Sequence, residues 1–267
     1  MRMWKPRTLF AAGLMVCCGT GSLAQTLTLL NPPNTGYTEG GVYTSPYNIS
    51  VNGTPTQLIC DDFTTDISIG ESWLTSATTI TDINSTTVEG LKFDSATYNG
   101  NILGGAGDVV QDYAIAAVLA GELLALPSSD SADAGALSFA IWDVFDDTLL
   151  GSSSPGSDPY AALTGPQWSA AMTDLSNAIT EVDSVITGGM AGSGDVSGLV
   201  SGGSVNLASL GISSLTAYTP TPNAGVAQEF LQVSMPEPSY PALLAIDFLA
   251  VLGLIAFLRR RSDRILS

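Results

Sequence analysis

Each end of the chain carries an apolar run next to basic residues, and this placement of charge constrains the fold more than any other feature. Seven of the eight lysines and arginines lie in the two ends, whereas the segment from Thr26 to Met235 holds Lys92 alone against 22 acidic residues. Such a body repels phosphate backbones, which excludes nucleic acids and phosphorylated ligands as partners. We therefore expect two short delivery segments around one acidic body of about 210 residues.

Residues 1–24 are predicted to form a secretory signal peptide. Residues 9–16 are an apolar run too short to span a bilayer, and small residues end at Ala24, so cleavage is expected before Gln25. The Sec translocon and a signal peptidase are the partners that this prediction requires. The run is preceded by the basic residues Arg2, Lys5 and Arg7.

The C-terminal apolar run predicts a transmembrane helix. Residues 242–258 are apolar apart from Asp247, and at about 1.5 Å per residue they would cover roughly 26 Å, close to the thickness of the hydrocarbon core. A basic cluster follows and predicts a cytoplasmic tail at 259–267, with the body outside the cytoplasm. Its members are Arg259, Arg260, Arg261 and Arg264.

The segment before this run is Met235-Pro236-Glu237-Pro238-Ser239. Its prolines hold the chain extended, which is the conformation that a protease cleft binds. Together with the apolar run and the arginines it resembles the PEP-CTERM sorting signal of exported bacterial proteins. The resemblance implies recognition at Pro236, Glu237, Pro238 and Ser239 by an exosortase, an association with exopolysaccharide and biofilm matrix, and membrane lipid around the helix.

The body is predicted to be an α+β fold: a single β-rich exported domain with a central helical block, plus the C-terminal transmembrane helix. Strand patterns dominate its first part, and Asn52-Gly53 predicts a two-residue hairpin turn. Apolar residues at helical spacing predict helices over 108–126, 133–146 and 167–186. Two final strands, at about 205–218 and 226–233, are expected to complete the sheet.

This pattern divides the chain into a main ectodomain at 25–187 and a Gly/Ser-rich loop at 188–204. The last strands of the ectodomain then occupy 205–234, and the sorting signal occupies 235–267.

The absence of histidine excludes Ser-His-Asp and Cys-His catalytic centres and His-ligated metals. Cys60 is the single cysteine of the body, so no intramolecular disulfide is expected there, and a buried apolar role is the simplest interpretation. The segments around Cys60 and Ser138-Phe-Ala-Ile-Trp142 resemble the two motifs of bacterial surface thioester domains. That resemblance assigns the nucleophile's place to Cys60, but Ser138 stands at the glutamine position and has no carboxamide, so no thioester is expected.

Six aspartates are candidate metal ligands or catalytic carboxylates: Asp61, Asp62, Asp66, Asp143, Asp146 and Asp147. Paired carboxylates serve glycoside hydrolysis, and oxygen ligands suit Ca²⁺, although no EF-hand loop is present. Solvated negative charge that keeps an exported protein soluble is the alternative interpretation.

Taken together, the sequence predicts an exported, exosortase-sorted protein of the cell surface or extracellular matrix. Its role is expected to be structural or glycan-associated and non-catalytic, with no cofactor other than a possible Ca²⁺. Its expected location is the cytoplasmic membrane, with the ectodomain outside, and then the surface or matrix after sorting. The alternatives are a carbohydrate-active enzyme using aspartates and an adhesin of thioester-domain lineage without the thioester.

Overall fold

Six antiparallel strands close into a barrel, and three helices pack against one side of it. The computed structural model describes residues 24–31, 38–39, 42–63, 65–94, 109–127, 130–145, 163–186, 204–221 and 227–236. Before the helices the strands are β1 (Ala24–Asn31), β2 (Thr38–Glu39), β3 (Val42–Tyr43), β4 (Tyr47–Val51), β5 (Thr54–Cys60), β6 (Ser72–Ile80) and β7 (Asp82–Ile83). The helices are α1 (Val109–Ala125), α2 (Ser131–Phe145) and α3 (Gly165–Val185). They are followed by β8 (Val205–Asn206), a short 3-10 helix (Leu207–Leu210), β9 (Ser214–Pro220) and β10 (Phe230–Ser234).

Around the barrel the strand order is β1-β4-β5-β10-β9-β6, and β6 closes it by pairing with β1. The two-stranded pairs β2–β3 and β7–β8 lie outside this ring. Closure gives each of the six barrel strands a paired neighbour on both sides, and the contact between β5 and β10 is the shortest, with two residue pairs.

The predicted hairpin turn at Asn52-Gly53 is confirmed. Val51 pairs with Thr54 across β4 and β5, which leaves the two intervening residues as the turn. Both have positive φ, 50° for Asn52 and 88° for Gly53. This geometry matches the right-handed twist of the strands and explains why Asn-Gly is favoured at such turns.

Strands β5, β9 and β10 bury both faces, which creates two hydrophobic cores. One face fills the barrel interior, where Leu58, Cys60 and Phe230 pack with apolar residues of β1 and β4. Alternate residues such as Ile59 and Leu231 point outward and pack against the helices. The helices lie where the apolar periodicity predicts them, and α1 is buried almost all round because it contacts α2, α3 and β10.

The predicted α+β fold class is wrong. The final strands do not complete an open sheet but close a β-barrel, because β6 pairs with both β1 and β9. The fold prediction also included a membrane helix at 242–258. This segment lies outside the described residues, and the structure gives no support for the predicted helix. Within the described ranges, no helix has the length and hydropathy needed to cross a membrane.

Candidate functional site

The two segments that carry the thioester-domain resemblance lie against each other where β5 ends. The indole Nε1 of Trp142 donates to the carbonyl oxygen of Cys60 at 2.9 Å. The backbone N–H of Cys60 donates to Ser45 Oγ, and the backbone N–H of Ser45 donates to Ser138 Oγ, both at 3.0 Å. One hydrogen bond therefore connects α2 to β5 directly, and two more connect them through Ser45. The position expected for glutamine is filled by a serine hydroxyl within this network.

Cys60 is a free thiol buried in the barrel interior. Burial, followed by the negative charges of Asp62 and Asp61, raises the pKa of this thiol well above its ordinary value. Its Sγ donates to the carbonyl oxygen of Asp62 at 3.2 Å. Since the thiolate is the nucleophilic form, this environment keeps Cys60 unreactive.

The candidate aspartates are separated by the fold. Asp61 and Asp62 are 1% and 0% exposed at the end of β5, and Asp143 on α2 is 1% exposed. Asp66 lies on the surface, whereas Asp146 and Asp147 are outside the described residues. In the part of the chain that the structure describes, no group of three or more metal-ligating side chains comes together.

Asp61 and Asp62 instead belong to a buried acid cluster formed with Lys92, Tyr113 and Glu229. Glu229 is the centre of the acid cluster and is itself fully buried. Its Oε1 accepts from the Tyr113 hydroxyl at 2.5 Å, and its Oε2 accepts from the backbone N–H of Lys92 at 2.9 Å. The hydroxyl of Thr219, near the end of β9, also donates to Oε2.

Lys92 and Asp62 form a buried ion pair beside Glu229. Lys92 Nζ contacts Asp62 Oδ2, and the two side chains are 5% and 0% exposed. The ammonium also donates to Thr65 Oγ1 at 2.9 Å and to the carbonyl oxygen of Ala227 at 3.2 Å. A charge pair taken out of water is tolerated only when its remaining donors are satisfied, as they are here.

Asp61 shares its surroundings with Glu229 rather than with a cation. Burial, and secondly the charge of Glu229, raise the pKa of Asp61 well above 3.8. Neither oxygen of Asp61 has a hydrogen-bond partner among the described residues, so no donor stabilises its charged form. Asp61 therefore keeps its proton at pH values where an exposed carboxyl has lost it.

An aromatic cleft of about 430 Å³ opens beside the acid cluster. Gln228 connects the two regions, because its Nε2 donates to the carbonyl oxygen of Asp62 at 3.0 Å while its side chain lines the cleft. Phe63 and Trp142 pack with ring centroids 5.0 Å apart, and Tyr43 is 46% exposed. The lining residues are Leu29, Val42, Tyr43, Tyr47, Phe63, Asp66, Ile67, Ser68, Ile69, Trp142 and Gln228.

Sequence reasoning missed Tyr113, Glu229 and the cleft. Two signals pointed to the acid cluster: Lys92 is the one basic residue of an acidic body, and Glu229 falls in a predicted strand that is otherwise largely apolar. Neither signal identifies a partner, because Lys92 and Glu229 are 137 residues apart in the chain.

Compared with models of protein families, with curated proteins and with solved structures, the chain matches none. The PEP-CTERM and thioester-domain resemblances therefore remain predictions from short motifs.

Proposed function

We propose that the chain is an exported surface or matrix protein that binds a saccharide in the aromatic cleft without transforming it. The proposal rests on one observation, the combination of aromatic rings with a few polar groups in an open cavity. Ligand sites are typically concave and largely apolar, with a small number of polar groups that fix the orientation of the ligand.

The cleft offers groups that complement a sugar ring. Tyr43, Phe63 and Trp142 line it, and aromatic faces pack against the C–H faces of pyranoses much as they pack on other apolar surfaces. Asp66 supplies an exposed carboxylate. Gln228 Oε1 is buried and has no hydrogen-bond donor among the described residues, so it is an acceptor for a ligand hydroxyl.

The positions of the carboxylates support binding over hydrolysis. Glycosidases place two carboxyl groups on either side of the scissile bond, roughly 5 to 10 Å apart. Among the described residues that line the cleft, Asp66 is the one carboxylate. Asp61 and Asp143, the aspartates expected to serve the enzyme alternative, are buried in the interior.

Saccharide binding by the cleft is tested by measuring how strongly the protein is retained on purified exopolysaccharide from the producing bacterium. We expect Tyr43→Ala to weaken binding about fivefold, since an aromatic contact contributes on the order of 1 kcal/mol. Leu74→Ala is the matched control, because Leu74 is a similarly exposed large side chain that does not line the cleft. Equal binding by the wild type and by Tyr43→Ala would exclude this surface as the saccharide site.

We further propose delivery by the Sec translocon and signal peptidase, followed by exosortase processing at Pro236-Glu237-Pro238. Cleavage before Gln25 would leave β1 almost intact, because Leu27 and Leu29, its core residues, follow that point. At the other end β10 finishes at Ser234, and the next residues, Met235 and Pro236, are exposed. Glu237, Pro238 and Ser239 lie outside the described residues.

Glu237→Ala tests the sorting proposal in the producing bacterium. We expect the variant to keep its C-terminal residues and to remain in the cytoplasmic membrane fraction, whereas the wild type loses them. Ser234→Ala, at the exposed end of β10, is the control and should be processed normally. Identical masses and fractions for Glu237→Ala and the wild type would show that no exosortase acts on this segment.

The second candidate is an adhesin of thioester-domain lineage that lacks the thioester. The observation that favours it is the contact between the Cys60 segment and α2, where Trp142 and Ser138 face β5. Mass spectrometry tests the absence of the thioester. A crosslink at Cys60 with loss of ammonia would show that the bond forms with another side chain, and it would contradict this candidate.

A further inference from the structure

The Lys92–Asp62 pair of the acid cluster has the arrangement of two reactants rather than that of a surface salt bridge. The amine nitrogen contacts a carboxyl oxygen inside the protein, and a second carboxyl, that of Glu229, accepts from the backbone N–H of the same lysine. We propose that Lys92 Nζ and Asp62 Cγ become joined by an intramolecular amide bond, with release of one water molecule.

The fold holds both groups in place for this reaction. The backbone N–H of Lys92 is bonded to Glu229, and its ammonium is held by Thr65 and Ala227 as well as by Asp62. Asp62 is fixed at its backbone by Gln228. Groups kept within contact distance react as though at very high concentration, because the entropy of bringing them together has already been lost.

The protons balance within the site. The Lys92 ammonium first gives one proton to the Asp62 carboxylate, which leaves a neutral amine and a carboxylic acid. Nζ then attacks Cγ, the C–N bond forms, and the hydroxyl group of Asp62 leaves as water with a proton that Nζ loses. Glu229, whose Oε2 accepts from the backbone N–H of Lys92, lies beside the reacting groups and can carry the proton from Nζ to the departing oxygen.

The surroundings favour the amide product. Two buried charges disappear when the amide forms, and with them the cost of keeping those charges away from water. The low exposure of both side chains also limits access of water for the reverse reaction. The product would link the end of β5 to the segment before α1 across 30 residues. Such a link restrains the unfolded chain as a disulfide does. The body has one cysteine and so cannot form an internal disulfide of its own.

Trypsin provides a direct test, because Lys92 is the single lysine or arginine between Arg7 and Arg259. The full chain is purified, its termini are identified, and it is denatured before digestion. We expect a mass lower than that of the sequence by one water molecule and no cleavage after Lys92. A second digestion with a glutamate-specific protease, which cuts after Glu71 and Glu89, should give one branched peptide that contains both Lys92 and Asp62.

Two variants control the digestion. Asp62→Ala should have the full mass of its sequence and should be cut after Lys92, and Lys92→Arg should be cut at the same position. Because digestion follows denaturation, a variant that folds poorly still reports the absence of the bond. A wild-type chain that has its full mass and is cut after Lys92 would overturn the proposal, as would a missing water that maps to other residues.

Glu229→Gln tests the proton carrier. It keeps the size of the side chain but removes the carboxyl group, so the water loss should appear more slowly after synthesis. The time course is followed by intact mass, with Glu89→Gln as the control at an exposed carboxyl. Formation at the wild-type rate in Glu229→Gln would remove Glu229 from the reaction.

Discussion

The carboxyl of Asp61 makes the stability of the protein depend on pH. Its pKa is raised in the folded chain by burial and by Glu229, whereas in the unfolded chain it returns to about 4. At pH values between the pKa of the unfolded chain and that of the folded chain, the folded state binds one proton more than the unfolded state. The stabilisation is therefore complete below about pH 4 and is lost as the pH rises through the raised pKa.

Urea unfolding at several pH values checks this dependence. For the wild type we expect the free energy of unfolding attributable to this group to fall from acidic towards neutral pH. Asp61→Asn should flatten the dependence, because the amide cannot lose a proton, and Asp66→Asn, which changes an exposed carboxyl, should leave it in place. An unchanged slope in Asp61→Asn would show that Asp61 does not hold the proton.

The buried thiol of Cys60 should be protected from alkylation by the fold. Its raised pKa and its position in the barrel interior predict slow reaction with iodoacetamide in the folded protein and rapid reaction after unfolding. Cys60→Ser provides the background for this measurement. A thiol that stays blocked after unfolding under non-reducing conditions would mean that Cys60 is covalently modified.

At the scale of the elements, the β4–β5 hairpin depends on Gly53. A Cβ at this position would meet nothing within 4 Å, but the φ of +88° is one that L-residues rarely adopt. We expect Gly53→Ala to lower the free energy of unfolding by about 1 kcal/mol or more. Gly165→Ala, in the first turn of α3, also has open space but no positive φ, so it should leave stability unchanged or raise it.

Thermal or urea unfolding of the two variants checks this prediction, since both add the same methyl group to open space. Equal effects at the two positions would mean that backbone conformation does not determine the cost at Gly53.

The local elements could be predicted from the sequence because their signals are local. Asn52-Gly53 specifies its turn through the φ angles that these two residues tolerate, and apolar spacing located the three helices. Closure of the barrel could not be predicted in this way. It depends on pairs such as Thr78 with Ala217 in β6 and β9, which neither turn chemistry nor periodicity can specify.

For the whole molecule, the packing of the barrel explains the position of the aromatic cleft. Side chains of β1, β4, β5, β9 and β10 fill the interior, and the helices cover one outer side. The aromatic cleft lies at the end of the barrel where β5 finishes, between that end and α2. The sequence identified Asp61, Asp62 and Asp66 as one group, but the chain turns between them and sends two carboxyls inward and one to the cleft.

The acid cluster was missed because its members are far apart in the sequence. Lys92 comes from the segment before α1, Tyr113 from α1 and Glu229 from the residue before β10, so three distant parts of the chain supply its members. Their proximity is a property of the closed barrel and its helices, and it becomes visible only with the tertiary structure.

The central claim is that the protein binds a saccharide and does not cleave it. One experiment measures both the binding and the cleavage. Calorimetric titration of the purified protein with fragments of bacterial exopolysaccharide is followed by assay of the same samples for new reducing ends. We predict saturable heat that weakens in Tyr43→Ala, with no release of reducing ends. Release of reducing ends that disappears in Asp66→Asn, or no saturable heat with any fragment, would contradict this account.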